Sequence, residues 1–447
     1  MRNFLAIAFF CALAACAPTP TPTIAPPTAL PTPVPTNDPT IQRSNYPTIA
    51  LTTPTPSKIV LRFWHAQPYA HHAALNALVA KFNATHADIQ VFEAHQGSDA
   101  DLAKNTRGAI TASNPPDLIL AYQDDLANLI RQDALIALDA LMQDPKTGFS
   151  ADDLKDIFPA FIDHYPDFGN QVYSIAFTRS LQVMYFNLDL VKPAGSSKPP
   201  ETWDDFSKAC AADAKIPDTV CYTLNPNATT FAAWVYNRGG EMIGADGKTI
   251  AFNQKAGLDA LNFLSDLFKK KHANLTTRAF QDQLDFAAGK VAFTFDTTNG
   301  LAVYDKAIKR AAKPFAWGIA PMPRTTRDPV FVSYGPSIAI TKTTPERQRA
   351  AFVFAKWLMD AAPNAEWSKA TGYFPARASA KSALADYINS NPLYGGAFDW
   401  LKFSRGEPNI AAWSPMRVLI ADALIAVANG KPAADALNEA AKNATGK

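Results

Sequence analysis

Three short apolar runs decide the fold class of this chain: IVLRFW at residues 59–64, IQVF at 89–92 and DLILAY at 117–122. Their length and their content of Val, Ile, Leu and Phe are typical of buried β-strands. The first two runs are separated by a segment with the i, i+3, i+4, i+7 spacing of an α-helix, at Leu75, Leu78, Val79 and Phe82. A second helix is predicted near 101–112. The order strand, helix, strand, helix, strand predicts a parallel sheet with right-handed crossovers.

Ligands of parallel sheets bind beside the carboxyl ends of the strands. The residues at those ends are Trp64, His65 and Gln67 after the first strand, and Tyr122 and Gln123 after the third. We therefore expect a binding site near these side chains.

The rest of the chain predicts a second α/β block, with strands at 172–177, 181–187, 291–296, 316–320 and 330–340. Helices are expected near 230–237 and 256–271. Two more helices have clear start signals, with Thr202 as one N-cap and Thr344 before Pro345 as the other. No internal repeat is visible.

The composition limits the classes of function. The chain has 447 residues, enough for two large domains or about three average ones, and 48% of them are hydrophobic. The 42 Lys and Arg nearly balance the 40 Asp and Glu, which leaves a formal net charge of +2. Such a balance provides no basic field for nucleic acid, so we expect no nucleic-acid partner.

Residues 1–15 are predicted to form a secretory signal peptide: Arg2 is followed by an apolar run that is too short to span a bilayer. The sequence Leu13-Ala14-Ala15-Cys16 resembles the bacterial lipobox. That resemblance implies that Cys16 is acylated and anchors the protein to the outer face of the cytoplasmic membrane.

Residues 16–57 are predicted to be a disordered linker. Positions 17–57 contain 12 Pro and 11 Thr, with Asp38 and Arg43 as the only charges. This composition cannot bury a core, and proline-rich chain favours extended polyproline II. The segment is predicted to be a stalk between the membrane and the folded body.

Cys210 and Cys221 remain after Cys11 leaves with the signal peptide and Cys16 takes lipid. An even pair in an exported protein predicts a disulfide, with two buried thiols as the alternative.

Signatures of catalysis and cofactor binding are missing from the sequence. Gly247-Lys248-Thr249 resembles the end of a phosphate loop, but Met242 stands where the first Gly is required. His65, His71 and His72 are close in sequence, but no further spaced ligand joins them, and they are interpreted as solvated surface residues rather than a metal site. We expect no enzyme, no cofactor and no metal.

Several short motifs from residue 58 onward occur in a recognisable order. They are Phe63-Trp64-His65, Phe82-Asn83, Pro116-Asp117, Tyr185-Phe186-Asn187 with Asp189, Pro199-Pro200-Glu201-Thr202-Trp203, Gly239-Gly240, Gly289-Lys290-Val291-Ala292, Trp367 with Thr371-Gly372-Tyr373-Phe374-Pro375, and Trp413 with Arg417. In this order and spacing they resemble the extracellular solute-binding proteins of ABC importers, the family of the maltose-binding and glycerol-3-phosphate-binding proteins.

The resemblance implies an α/β, two-lobe, type II periplasmic-binding-protein-like fold, in which hinge strands let the lobes close on a ligand. Lobe 1 is expected at 58–177 plus about 324–369. Lobe 2 is expected at 178–323 plus about 370–447.

Aromatic side chains that could stack on a sugar are expected at the ligand site. The candidates are Trp64, Tyr122, Trp234, Tyr373 and Trp413, with core packing as the open alternative for Trp234 and Trp413. Trp203, Trp357 and Trp400 lie on amphipathic helices and are assigned to the core.

The resemblance to the glycerol-3-phosphate-binding proteins implies further site residues: Tyr122, Ser180, Thr298, Gly335, Tyr373 and Arg417. Pro68 and Gln123 stand where those relatives usually have Glu, and Arg179 replaces a small hydroxyl residue beside Ser180. The additional Arg favours an anionic ligand group, and the missing acids argue against the relatives' recognition of polyol hydroxyls.

The resulting hypothesis is a monomeric, lipid-anchored binding protein that delivers a carbohydrate or a glycerol-phosphate-like or sugar-phosphate-like solute to an ABC permease. Two alternatives stay open: an exported carbohydrate-binding adhesion module and an exported glycosidase with paired carboxylates.

Overall fold

The computed structural model describes residues 58–192 and 198–445. The predicted signal peptide, Cys16 and the predicted linker lie outside the described residues. Within the described part, no helix combines the length and the apolarity that crossing a bilayer would require.

The described residues contain two sheets built from thirteen strands. They are β1 (Ile59–His65), β2 (Ile89–His95), β3 (Leu118–Ala121), β4 (Ile162–Tyr165), β5 (Gln171–Ile175), β6 (Ser180–Asn187), β7 (Val220–Leu224), β8 (Ala273–Leu275), β9 (Val291–Thr297), β10 (Trp317–Ala320), β11 (Phe331–Tyr334), β12 (Ser337–Ile340) and β13 (Ser404–Gly406).

Helices cover the sheets and connect the strands. Those in the described residues are α1 (Tyr69–Thr85), α2 (Asp99–Thr111), α3 (Gln123–Arg131), α4 (Asp139–Met142), α5 (Ala151–Asp156), α6 (Leu188–Val191), α7 (Trp203–Asp213), α8 (Ala228–Tyr236), α9 (Lys255–Lys269), α10 (Gln281–Ala287), α11 (Leu301–Lys309), α12 (Pro345–Leu358), α13 (Ala361–Thr371), α14 (Ala380–Ala383), α15 (Ala385–Ser390), α16 (Pro392–Phe398), α17 (Trp413–Ala428) and α18 (Ala433–Ala444).

The first sheet has the strand order β2-β1-β3-β12-β5-β4. The strand β1 pairs in parallel with β2 and β3, which confirms the prediction from the three opening runs. The strand β12 is antiparallel to both β3 and β5, so this sheet is mixed. Of its helices, α1 packs its buried face, centred on Phe82, against Phe354 and Trp357 of α12 at ring separations of 4.8 and 5.5 Å. Burial of each such side chain contributes about 2 kcal/mol.

The second sheet has the order β13-β11-β6-β9-β7-β8, with β10 also paired to β6. Its core contains the fully buried Trp234 and Phe206, and Trp203 packs there with 7% exposure. The predicted disulfide is present: Cys210 of α7 is bonded to Cys221 of β7, with their Cα atoms 4.9 Å apart. The predicted N-caps are also confirmed, since the side chains of Thr202 and Thr344 accept hydrogen bonds from backbone N–H groups in their first turns.

The predicted strand 330–340 is in fact two strands in different sheets. Gly335 has a φ of +152°, a region that favours glycine, and Pro336 has no backbone N–H to extend a ladder. The chain therefore breaks after β11, which pairs with β6, and enters the first sheet as β12. The chain thus crosses from the second sheet to the first at Gly335 and Pro336, whereas the expected lobe boundary was near residue 324. A second crossing lies between β5 and β6.

Candidate functional site

A cavity of about 150 Å³ lies between elements of the two sheets. Its first side is formed by Tyr122, which follows β3, and by the first turns of α2 and α3. Its second side is formed by Tyr334 at the end of β11, by the loop after β13 and by the start of α17. The lining residues are Asp99, Tyr122, Gln123, Asp124, Asp125, Tyr334, Glu407, Pro408, Asn409, Trp413 and Arg417.

Two aromatic rings of the lining pack against each other. Tyr122 and Tyr334 are stacked with ring centroids 5.0 Å apart and an interplanar angle of 29°. Burial raises the pKa of both phenols, so the hydroxyls stay neutral and can donate or accept hydrogen bonds. The pair offers apolar ring surface beside polar atoms, which suits a sugar or polyol.

Arg417 and Trp413 line the cavity from successive turns of α17, and Trp413 is at the same time buried in the second core. Arg417 forms an ion pair with Glu407, and its Nη2 donates to Thr229 Oγ1 at 3.3 Å. Trp413 Nε1 donates to Glu407 Oε2 at 3.0 Å. Glu407 Oε1 is buried without a hydrogen-bond partner. The guanidinium charge of Arg417 is thus already balanced by a carboxylate.

Three aspartates add negative charge. Asp99 lies in the first turn of α2, and Asp124 and Asp125 lie in the first turn of α3. Burial raises the pKa of Asp99, and the charge of Asp124 raises it further. Burial, followed by the charges of Asp124 and Asp99, raises the pKa of Asp125 to about 6, while Arg107 opposes that rise. The lining therefore holds four carboxyl groups and one guanidinium.

Arg179, which was predicted to contact ligand, does not line this cavity. Its side chain is 2% exposed and lies where the chain crosses between the sheets. Its Nη2 donates to both carboxylate oxygens of Asp163, at 3.0 and 3.2 Å, and to Ser337 Oγ at 2.8 Å. Its Nη1 donates to the carbonyl oxygens of Gly335 and Pro336, at 2.6 and 3.0 Å. This guanidinium holds the two crossings together, so it does not support an anionic ligand.

Three further predicted site residues do not line the cavity and instead contact backbone atoms near the crossings: Ser180, Thr298 and Gly335. Ser180 Oγ donates to the Tyr334 carbonyl oxygen at 3.1 Å, and Thr298 Oγ1 accepts from the backbone N–H of Leu181 at 3.0 Å. A Cβ added to Gly335 would lie 2.9 Å from the Thr178 carbonyl oxygen. Glycine is required at this position by the crossing of the chain itself.

The remaining aromatic candidates lie away from the cavity lining. Trp234 is fully buried in the second core, with its ring 5.5 Å from that of Phe295, so the core alternative is correct. Trp64 is half-buried against a small core cluster of the first sheet. Tyr373 does not line the cavity but lies close to Tyr334. Burial, and after it the neighbouring Tyr334, raises the pKa of Tyr373 to about 12.

The histidines differ from their interpretation as solvated residues. His65 is fully buried, and its Nε2 lies 2.6 Å from Glu93 Oε2. His72 is half-buried, with its Nε2 2.8 Å from the Gln67 carbonyl oxygen. Within residues 58–192 and 198–445, no group of three or more His, Cys, Asp or Glu is arranged to hold a metal ion.

Five lining residues that carry charge or ring surface were not predicted from the sequence: Asp99, Asp124, Asp125, Tyr334 and Glu407. A signal existed for the aspartates, because each begins a helix at the carboxyl edge of the predicted parallel strands. We find no comparable local signal for Tyr334 or Glu407, which come to the cavity from distant parts of the chain.

Comparisons with known proteins agree with this architecture. Residues 77–396 match the sequence model of a family described as bacterial extracellular solute-binding protein. The sn-glycerol-3-phosphate-binding periplasmic protein UgpB of Yersinia enterocolitica is 22% identical over 349 residues, which cover 74% of this chain and 77% of that protein.

Two solved structures show the same fold. The cyclic alpha-maltosyl-1,6-maltose binding protein of Arthrobacter globiformis has a TM-score of 0.75 and 20% identity, covering 87% of this chain and 98% of that one. UgpB of Mycobacterium tuberculosis in complex with glycerophosphocholine has a TM-score of 0.72 and 22% identity, covering 86% of this chain and 97% of that one.

Proposed function

The chain belongs to the bacterial extracellular solute-binding proteins, and on this basis we propose that it is the substrate-binding component of an ABC importer for a carbohydrate or polyol. The observation that carries this proposal is the cavity between the two sheets, lined by stacked tyrosines and carboxylates. Curated and structural relatives include binding proteins for glycerol 3-phosphate and for a maltose-based sugar.

Ligand capture would work by closure of two lobes, each built around one sheet. Tyr122 comes from the first sheet's side and Arg417 from the second, so only a closed form places both against a ligand. A ligand that binds the closed form more tightly shifts the population towards it. The permease would then recognise the closed form.

A neutral polyhydroxyl ligand fits the lining better than a phosphate. Ligand hydroxyls can donate to the carboxylates, and sugar faces can pack on Tyr122 and Tyr334. A phosphate would need an available cation, whereas Arg417 is paired with Glu407. The phosphorylated ligand of the original hypothesis is therefore the less favoured choice.

The proposal includes a lipid anchor at Cys16 and a cleaved signal peptide, supported by the lipobox-like sequence. Mass spectrometry of the membrane-extracted protein tests it. We expect an acylated N-terminal Cys16, and an unmodified N-terminus at Met1 would refute the anchor.

A thermal-shift screen of the purified protein with sugars, polyols and their phosphates tests the ligand class, since a bound ligand raises the melting temperature. Incubation with each hit tests for products. A stable ligand with no product supports the binding protein, whereas product formation would point to the glycosidase. Binding only to polymeric surfaces would point to the adhesion module.

A matched pair of variants then locates the site. Asp124→Asn should weaken binding of the hit about tenfold, because it removes the charge from a hydrogen-bond acceptor in the cavity. Asp152→Asn is the control, because its side chain is 93% exposed on α5. If calorimetry gives equal affinities for both variants, the cavity is not the binding site.

A further inference from the structure

Gln123 joins the lining of the cavity to the crossing of the chain between the sheets. It follows Tyr122 at the start of α3, and its side chain lines the cavity. Its Nε2 donates to the Gly335 carbonyl oxygen at 3.1 Å and to Ser337 Oγ at 2.9 Å. Gly335 is where the chain leaves the second sheet, and Ser337 begins β12 of the first.

The partners of Gln123 fix which end of its amide faces the crossing. The carbonyl oxygen of Gly335 can only accept hydrogen bonds. The hydroxyl of Ser337 donates its hydrogen to the Asp163 carboxylate, so towards Gln123 it can act only as an acceptor. Both N–H groups of the amide are therefore used by the crossing, and a reversed amide would set its oxygen against two acceptors.

The crossing accommodates a neutral donor at this position but not another anion. Arg179 also donates to the Gly335 carbonyl oxygen, at 2.6 Å, and its charge is balanced by Asp163. The Oδ2 atom of Asp163 lies 3.5 Å from Gln123 Nε2. A carboxylate in place of this amide would face a carbonyl oxygen and a second carboxylate in a buried region, where like charges repel strongly.

The other end of the amide remains available to the cavity. Among residues 58–192 and 198–445, Gln123 Oε1 has no hydrogen-bond partner. An amide oxygen accepts hydrogen bonds and does not donate them. This point of the lining therefore suits a ligand group that donates, such as a hydroxyl of a sugar or polyol.

The bond from Gln123 to the crossing also ties the two stacked tyrosines together. Tyr122 directly precedes Gln123, and Tyr334 directly precedes Gly335. The bond between Gln123 and Gly335 thus links the backbone beside one ring to the backbone beside the other. Because the rings come from the sides built on different sheets, their 5.0 Å separation depends on this link as well as on ring contact.

We propose that Gln123 is a positioning residue for ligand binding. Its amide nitrogen holds Tyr122 and Tyr334 in place through the crossing, and its amide oxygen selects a hydroxyl donor at this point of the cavity. The inference rests on the proposed function and adds to it a residue that acts at both the cavity and the crossing. A simple ligand contact would need only the oxygen, whereas this role needs the nitrogen as well.

Gln123→Glu separates the two ends of the amide, because it keeps an acceptor oxygen but removes the N–H donors. Hydrogen–deuterium exchange followed by mass spectrometry should show exchange about fivefold faster at 178–181 and 335–341, with β7 and β9 unchanged, because the opening is local. Gln132→Glu is the matched control and should exchange as wild type, since Gln132 is exposed at the end of α3.

Binding of maltose, trehalose and sorbitol, measured by calorimetry, extends the test to the cavity. Each of these probes that binds the wild type should bind Gln123→Glu about tenfold more weakly and Gln132→Glu equally well. Gln123→Met has neither donor nor acceptor and should change both exchange and binding in the same direction. It also keeps the inference testable if Gln123→Glu does not fold.

The outcomes separate this inference from the proposed function. Wild-type exchange at the crossing in both Gln123 variants would overturn the inference, and so would faster exchange in every strand, which indicates a general loss of stability. Equal or tighter binding by Gln123→Glu would also overturn it, because the oxygen alone would then suffice. If no sugar or polyol binds the wild type, the proposed function fails, and the exchange rates still decide the role of Gln123 at the crossing.

Discussion

The buried ion pair between Arg179 and Asp163 can be tested directly for its contribution to the stability of the crossings between the two sheets. The side chains are 2% and 6% exposed, and the guanidinium also bonds to Gly335, Pro336 and Ser337. Arg179→Met would leave the Asp163 carboxylate buried without its cation. Removing one partner of a buried pair costs about 3–5 kcal/mol, so we expect the free energy of unfolding to fall by about that amount.

Urea unfolding followed by tryptophan fluorescence measures this loss, with Arg179→Met, Asp163→Asn and the double variant compared. If the two groups stabilise each other, the double variant should lose at least 1 kcal/mol less than the sum of the single losses. A second pair provides the control: Lys155→Met removes an exposed i, i+3 partner of Asp152 and should change stability by less than about 0.5 kcal/mol. A loss below about 1 kcal/mol for Arg179→Met, or strict additivity, would refute the reasoning.

Three further predictions concern the second sheet and its core. Replacing Cys210 and Cys221 by Ala should lower the free energy of unfolding by about 3 kcal/mol, because the disulfide closes a loop spanning 11 residues, and chemical denaturation would show whether the loss is that large. Trp234→Ala should cost about 3–5 kcal/mol in the same assay yet leave ligand affinity unchanged, and weakened binding with intact folding would return Trp234 to the site. Burial raises the pKa of Asp213 to about 6, so the stabilisation that its protonated form gives to the folded wild type is lost as the pH rises from about 4 through 6. The variant Asp213→Asn cannot ionise, so it should be about 1–2 kcal/mol more stable than the wild type at pH 7 and lose that advantage towards pH 4. Urea titrations at both pH values can check this.

Local sequence patterns determined much of the fold. The apolar runs at 59–64, 89–92 and 117–122 became β1, β2 and β3 of one parallel arrangement, because strand and helix periods are properties of consecutive residues. The N-caps at Thr202 and Thr344 follow from the same local rules. Tyr122 could be placed near a site because the carboxyl end of a parallel strand is known once the strand is known.

Tertiary structure decided the roles that depend on partners far along the chain. Arg179 is next to Ser180, a predicted site residue, in the sequence. In the folded protein its N–H groups donate to the Asp163 carboxylate, 16 residues away, and to the Gly335 carbonyl oxygen, more than 150 residues away. The sequence around Trp234 does not show whether its side chain faces a cleft or the core, and only the structure shows that it is fully buried. The strand predicted at 330–340 was divided between two sheets by the crossing at Gly335.

The charge of the cavity was the least predictable feature. Asp99, Asp124 and Asp125 are ordinary helix-start residues in the sequence, and Glu407 lies more than 280 residues after each of them. Their meaning depends on which side chains share one small volume and which cation is already paired. Composition and periodicity carry no information on such distances, because electrostatic energy depends on separation in space and on burial rather than on order along the chain.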